Sequence, residues 1–515
     1  MLSLLLLAAA TTPSADAAAY YFNGAGLRGM SRGGAFVAGV DDLSAQYYNP
    51  AGLSRLNRPQ VYVNMSFVKQ PVQFTRTDYD DAGGVRRQFP QVENEAPVMP
   101  IPQFAVGHHF GLKNTYVALG LHPPFAPQLD YPDRGAQRYS LQDSLVLQWY
   151  AGPSISQKVL PWLTIGAGVF WSPVNASQTL DIMVCRDEQP DGQTTRCATD
   201  FSDGSTMAQV YGADQTPEQR EDQYARESDA TVGVNMWDWN NITWNAGVLA
   251  EPTDWLAIGL SVKPAMKVSG KGSLDIGFGD EHWLVGGAET FPFPPIILGQ
   301  EFSDDDVTVN LTLPWVFSGG VQVQPVDRVK VEVDAVWQRW NVTKEILVTD
   351  VNATITDNPD DDTNTEDLKV EDDIVLPANY QDTWTLSLGG DVKILDQLVV
   401  RAGAYYEQTA VPGSTQTVSV VDGEKIGYGL GVTGRPAKRW AIEGAFSQTF
   451  IAERDIKDST AVRQEIPVDL QAALAGNIEA NLVPGAVVGN GKFSSQMMYF
   501  SFGVTHYFGT GKRKL

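Results

Sequence analysis

Val329-Lys330-Val331-Glu332-Val333-Asp334-Ala335-Val336-Trp337 alternates without a break: the odd positions Val329, Val331, Val333, Ala335 and Trp337 are apolar, while Lys330, Glu332 and Asp334 point the other way. Successive side chains of a strand face opposite sides, so the stretch predicts a β-strand with one apolar and one charged face. The same period recurs on either side of it. Leu256, Ile258, Leu260 and Val262 alternate with Ala257, Gly259, Ser261 and Lys263. Leu398, Val400, Ala402, Ala404 and Tyr406 alternate with Arg401, Gly403 and Glu407, and Leu163, Ile165, Ala167, Val169 and Trp171 with Thr164, Gly166 and Gly168. A soluble sandwich shows the same alternation, so length and connections decide. The runs are roughly 10–20 residues long, whereas strands of soluble proteins average about five or six.

The connections alternate too. Tight turns at 158–161, 251–254, 324–327, 395–396 and 435–438 separate long polar segments at about 71–100, 122–139, 176–230, 271–306, 351–370, 411–424 and 453–496. Short turns at one end and long loops at the other are the pattern of an outer-membrane barrel. Fourteen strands are expected, at about 59–70, 101–110, 114–122, 140–157, 162–175, 231–250, 255–270, 307–323, 328–350, 374–394, 397–410, 425–434, 439–452 and 497–508. The fold class is therefore all-β, a 14-stranded antiparallel transmembrane barrel, and an even strand number leaves both ends on the periplasmic side. Trp162, Trp255 and Trp440 follow three of the tight turns, as an aromatic girdle at one bilayer interface requires. The closing strand aligns Phe500, Phe502, Val504 and Phe508, with residues 509–515 beyond it.

Composition agrees and excludes alternatives. Length alone, at 515 residues, suggests about three soluble domains, yet charged residues make up only 19% of the chain. No run approaches the roughly 18 apolar residues of a spanning helix. A net charge of −24 leaves too few cations for nucleic acid. The five histidines, His108, His109, His122, His282 and His506, are scattered and assemble no catalytic set, so an enzyme, a metal site and a cofactor are not expected.

At the N-terminus the apolar run 2–10 followed by Ala15-Asp16-Ala17-Ala18-Ala19 reads as a secretory signal over 1–19, although no Lys or Arg precedes Arg28. A disordered Ala-rich tail is the alternative. Cys185 and Cys197 are the only cysteines; in an oxidising compartment a loop-closing disulfide is expected, worth about 3 kcal/mol, with two free thiols as the alternative.

Residues 20–56 show no strand alternation and are rich in Gly and Ala; residues 57–515 form the barrel. Gly24-Ala25-Gly26-Leu27-Arg28-Gly29 matches GxGxxG but lacks the preceding strand that a dinucleotide site needs. A slim small-residue segment suits the inside of a barrel, with Asp41, Asp42 and Asn49 bonding to a polar wall. Its Asp41-Asp42-Leu43-Ser44-Ala45 and Asn49-Pro50-Ala51-Gly52-Leu53 elements resemble the N-terminal hatch of the FadL family (OMPP1/FadL/TodX) of outer-membrane long-chain fatty acid and hydrocarbon transporters. The resemblance continues through Pro124-Phe125, Tyr131-Pro132, Arg138-Tyr139, Trp244-Asn245-Ala246-Gly247-Val248, Leu313-Pro314-Trp315 and Asp382-Thr383-Trp384.

The resemblance implies a monomeric bacterial outer-membrane barrel plugged by its own N-terminus, taking up long-chain fatty acids or other hydrophobic ligands passively. In the family the ligand adsorbs between extracellular loops, passes to a luminal pocket and leaves when the hatch moves, in some members sideways through the wall. Tyr20, Tyr21 and Phe22 then fall at the hatch tip, and Asn49, Pro50 and Ala51 at the hatch–barrel join, where a structural turn is the plainer reading. Phe291 and Phe293, with the Pro294-Pro295-Ile296-Ile297-Leu298 run, are candidate groove residues. A fatty-acid carboxylate needs a luminal cation, and parity offers Lys263, Lys330 and Arg401, each a possible partner of Glu332, Asp334 or Glu407 instead. If all three are paired, an uncharged hydrocarbon is the better substrate. Asp304-Asp305-Asp306 and the acidic 357–373 stretch read as solvated loop or as contacts to lipopolysaccharide phosphates through divalent cations. An unplugged diffusion porin and a barrel enzyme are the rival classes.

Overall fold

The computed structural model describes residues 16–17, 26–79, 83–125, 127–186, 214, 216–279, 282, 301–350, 353–355, 368–370, 374–468 and 483–509. Fourteen strands form the wall: β1 Gln60–Lys69, β2 Met99–His108, β3 Thr115–Phe125, β4 Asp143–Leu160, β5 Leu163–Trp171, β6 Ile242–Thr253, β7 Leu256–Lys263, β8 Trp315–Val326, β9 Val329–Arg339, β10 Thr383–Leu395, β11 Leu398–Glu407, β12 Lys425–Ala437, β13 Trp440–Ile456 and β14 Gly491–Tyr507. Each pairs antiparallel with the next, and β14 returns to β1 with Tyr507 opposite Gln60 and Met498 opposite Lys69, closing the barrel.

Which face is buried settles the solvent. In β9 Val333 is 55% exposed, while the neighbouring Glu332 and Asp334 are 0% and 1% exposed. In β7 Ile258 and Leu260 are exposed and Ala257, Ser261 and Lys263 buried. An apolar exterior around a polar interior is the reverse of a soluble domain and fits a lipid surround. Among the described residues no helix is long and apolar enough to cross a membrane, so the crossing is made by strands.

Two-residue turns at 161–162, 254–255, 327–328, 396–397 and 438–439 join the strands at one end, within a residue or two of the expected positions. Trp162, Trp255 and Trp440 are exposed there. A second aromatic belt circles the other end: Trp237 stacks on Trp239 at 4.4 Å, Phe317 on Trp337 at 5.3 Å, and Trp337 on Trp384 at 6.4 Å. From Trp162 to Trp171 the chain runs ~30 Å of strand, or ~23 Å of height at a ~40° tilt, close to the ~25 Å apolar band of such barrels.

Above that belt the expectation of loops over 176–230 and 271–306 is corrected. After the breaks at 172–173, 239–241, 264–265, 314 and 340–344, the wall continues as strands Val174–Arg186, Asp229–Asp238, Met266–Phe278, Glu301–Leu313 and Glu345–Thr349. Here the faces are exchanged. Val174, Ile182, Val232, Met236, Val268, Ile276, Phe278 and Val309 are buried together, and Thr231, Asn235, Lys267, Lys271 and Asp275 face out. The outward residues of these strands meet water, so their polarity reads as loop in the sequence. Cys185 is disulfide-bonded at the end of this sheet, and Cys197 lies outside the described residues. Near the N-terminus, Asp16 and Ala17 bridge in parallel to Thr409 and Ala410.

Candidate functional site: the filled lumen

Residues 26–56 lie inside the barrel and are almost entirely buried. Short helical turns at Leu27–Ser31, Ala45–Tyr48 and Pro50–Arg55 fold the segment back on itself. The first turn packs against β11 to β14, and the third against β3 to β6, so the segment spans the lumen. Inward glycines make room for it: a Cβ on Gly403 would strike the backbone carbonyl of Arg32, and one on Gly166 would strike Ala51.

Inward carboxylates of the wall bond to this segment. The Asp334 carboxylate accepts from the backbone N–H of Phe36 (2.6 Å) and Val37 (2.8 Å). Glu332 accepts from Ala38 (2.6 Å), Gly39 (2.9 Å) and the Arg32 guanidinium (2.7 Å). Arg28 bridges Glu443 (2.7 Å) and Asp41 (2.7 Å), all within the lumen. Buried carboxylates paired with guanidinium groups and backbone donors in this way satisfy charges that would otherwise oppose burial.

Of the expected hatch residues, Asn49 does reach the wall: its side chain donates to Val248 O (3.1 Å) and Val37 O (3.0 Å) and accepts from Ala51 N (3.1 Å). Pro50 starts the third helical turn, and Ala51 O accepts from Ser156 Oγ (3.3 Å) of β4. Asp41 and Asp42 differ from expectation: their hydrogen bonds are to Arg28 and Ser44, inside the segment. The wall contacts come instead from Arg28, Arg32 and Gln46, whose amide reaches Ser154 Oγ (3.1 Å). Two arginines in a Gly-rich tract facing strands with inward acids were the available signal.

The three expected cations occupy distinct settings. Arg401 is committed to Asp391 (3.3 Å) and Thr433 (2.6 Å). Lys330 and Arg401 both act electrostatically on Asp41. Lys263 is buried with its ammonium 3.3 Å from the centre of the Tyr47 ring, a cation–π contact. Its strand ends where the lumen turns apolar, and Met266 just above meets the inward Gln148, whose amide also bonds Ser172 Oγ (3.0 Å). Glu332 and Asp334 are held by the luminal segment, and Glu407 pairs with Lys425 (3.0 Å). Tyr20, Tyr21, Phe22, Phe291 and Phe293 lie outside the described residues, as does most of the acidic 357–373 stretch.

One seam of the wall is incomplete. β1 pairs with β2 along Met99 to Gly107, but β3 pairs with β2 only from Phe104 to His108. Beyond Leu121, β3 carries Pro123 and Pro124 and stays with β4, while β2 carries Pro100 and Pro102, which have no N–H to offer. His122, buried behind this seam, has an unpartnered Nδ1.

An apolar-outside, polar-inside closed barrel with its lumen filled by its own N-terminal segment defines a plugged β-barrel of the bacterial outer membrane. Residues 6–490 match the model of the outer membrane protein transport proteins (OMPP1/FadL/TodX), and the chain belongs to that family; it is a transport protein and not an enzyme. No curated protein matches the chain. Among solved structures, a Pseudomonas aeruginosa FadL homologue is similar at 18% identity and TM-score 0.67, over 96% of this chain and 100% of that one. The P. putida toluene transporter TodX is similar at 15% and 0.56, over 95% and 100%, and the Ralstonia pickettii toluene transporter TbuX at 15% and 0.55, over 95% and 99%. At such identities the likeness is one of fold.

Proposed function

We propose that the protein carries hydrophobic molecules passively across the outer membrane, with residues 20–56 acting as a hatch. The observation that carries this reading is the change of the interior from apolar, above the upper aromatic belt, to polar and filled below it. An apolar solute partitions into the upper interior and cannot continue straight down through a lumen occupied by Arg28, Arg32 and their carboxylates. The part of the β2–β3 seam left unpaired beyond Leu121 lies at the side of that path, and exit there delivers the solute to the acyl chains without crossing water. Tyr20, Tyr21 and Phe22 at the hatch tip and Phe291 and Phe293 in the loops are proposed ligand contacts. A diffusion porin is disfavoured because the lumen is filled.

For an amphipathic ligand, Lys263 at the floor of the apolar interior is the proposed partner of the carboxylate. Lipid extraction and mass spectrometry of the purified protein should recover an apolar ligand; failure to recover one, with no binding of fatty acids or alkylbenzenes in titration, removes the transport reading. Lys263→Met should weaken a long-chain fatty acid about tenfold and leave an alkylbenzene unchanged. Equal effects on both would exclude a carboxylate role.

A further inference from the structure

Four consecutive connections of the periplasmic rim carry no Asp or Glu in a chain of net charge −24. They are 438–439 between β12 and β13, the chain ends 57–59 and 508–509 beside β1 and β14, 109–114 between β2 and β3, and 161–162 between β4 and β5. The acids of the rim, Glu251, Asp254, Asp327 and Asp396, all sit on the other half, where Lys393 pairs with Asp396 at 2.7 Å. Lys113, Lys438 and Arg439 on the acid-free half are exposed.

The backbone of this half is built to present them. In the 109–114 turn Phe110, Gly111 and Asn114 have φ of 48°, 74° and 63°, a region that Phe enters only under constraint. His108 Nδ1 accepts from Phe110 N (2.6 Å) and His109 Nδ1 from Gly111 N (3.1 Å), which holds the turn. Phe110 rests with its ring 4.5 Å from that of His108 yet stays 67% exposed, and Leu112, next to Lys113 in the chain, is 56% exposed. Across β1, the Arg58 guanidinium donates to Lys438 O (3.1 Å) and Gly509 O (2.8 Å), fixing the turn that carries Lys438 and Arg439. Exposed Trp440 and Phe508 flank that pair, on either side of His506 at 4.3 Å and 4.6 Å.

Exposed cations, each beside exposed rings or aliphatic side chains at the level of the Trp162, Trp255 and Trp440 girdle, match a lipid headgroup and not a soluble partner. We infer that this half of the rim binds anionic phospholipid headgroups of the inner leaflet, with Lys113, Lys438 and Arg439 on the phosphates and Phe110 and Leu112 in the glycerol–acyl layer. The site lies directly beneath the β1–β3 sector and holds that sector at a fixed depth in the bilayer.

Native mass spectrometry of the full-length protein with phosphatidylglycerol, phosphatidylcholine or glycerol phosphate tests this. The wild type should retain phosphatidylglycerol at least about tenfold over phosphatidylcholine and should not retain glycerol phosphate. Each basic residue near an anionic surface accounts for roughly a fivefold factor, so Lys113→Gln/Lys438→Gln/Arg439→Gln should lose about a hundredfold. Arg328→Gln/Lys393→Gln on the acid-bearing half should change nothing, and heat-modifiable gel mobility reports that each variant is folded. If the triple variant does not fold, Lys113→Gln alone should lose about fivefold. No preference in the wild type, equal loss in both variant sets, or equal retention of glycerol phosphate overturns the inference.

Discussion

The same strands build two regions that obey opposite rules. Below the breaks at 172–173, 239–241, 264–265 and 314, side chains such as Leu260 and Val321 are exposed, and Ser261 and Gln322 are buried. Above them Val268 and Val309 are buried, and Lys267 and Lys271 are exposed. Antiparallel pairing resumes on the far side of each break, so the exchange of faces follows what lies outside: lipid below, water above. The lumen is consequently a structural interior in its own right, held by buried charges together with an apolar cluster that packs Phe36, Val40, Leu43 and Leu53 against Tyr62 and Tyr116 of the wall. That division can be broken from either side.

Removing the luminal segment, residues 20–56, should produce the largest effect: a protein nearly silent in planar bilayers should become a steady channel with conductance at least about tenfold higher. An intact protein that already conducts strongly would contradict the plugged lumen. Next, Glu332→Ala leaves Arg32 without its closest carboxylate in a fully buried site, where breaking such a pair costs about 3–5 kcal/mol. Amide exchange at residues 36–39 should rise sharply, and Glu332→Gln, which still accepts from two backbone donors, should be milder. In the other region Phe278→Ala removes a ring from the apolar interior at about 3 kcal/mol. It should weaken uptake of an apolar fluorescent ligand without raising conductance. A conductance rise in Phe278→Ala would show that the two regions are not independent.

The contrast also explains what was legible in the sequence. The lipid-facing strands read correctly because Val329 to Trp337 and its counterparts alternate so cleanly, and the fourteen strands and five of the tight turns followed from it. The upper strands did not, because Thr231, Asn235, Lys267 and Asp275 carry polar residues outward and the phase slips at each break, so two valid alternations look like noise when joined. Within the lumen, parity identified Glu332, Asp334 and Arg401 as inward, but not their partners. Arg28 and Arg32 sit some 300 or more positions from Glu332 and Glu443, and no local pattern reports such a pairing. The rim turn at 109–114 was equally silent, since nothing in His-Phe-Gly-Leu-Lys-Asn states that Phe110 will be held outward.

The smallest expected effect, a pH dependence, sharpens the division most. In the water-exposed region Asp181 accepts from Gln142 Nε2 (2.8 Å) and Thr231 Oγ1 (2.9 Å), and shares Arg138 with Asp229: 3.6 Å to Asp181, 2.9 Å to Asp229. Tyr139 donates to Asp229 (2.8 Å) and lies beneath the Arg463 guanidinium. Burial, with the neighbouring Asp229 charge adding to it, pushes the Asp181 carboxyl up to about 7, and burial raises Asp229 as well despite Arg138. Because the folded form holds a proton that the unfolded chain releases near pH 4, stability from this site is present at low pH and is lost as pH rises towards 7. Amide exchange at 138–142 and in strand Asp229–Asp238, corrected for its intrinsic pH dependence, should therefore quicken between about pH 4 and 7 and level off above. Asp181→Asn, which keeps an acceptor and removes the charge, should flatten that profile. A slope that survives in Asp181→Asn would assign the titration to Asp229, and one shared equally by β7 and β8 would place it elsewhere and dissolve the boundary between the two regions.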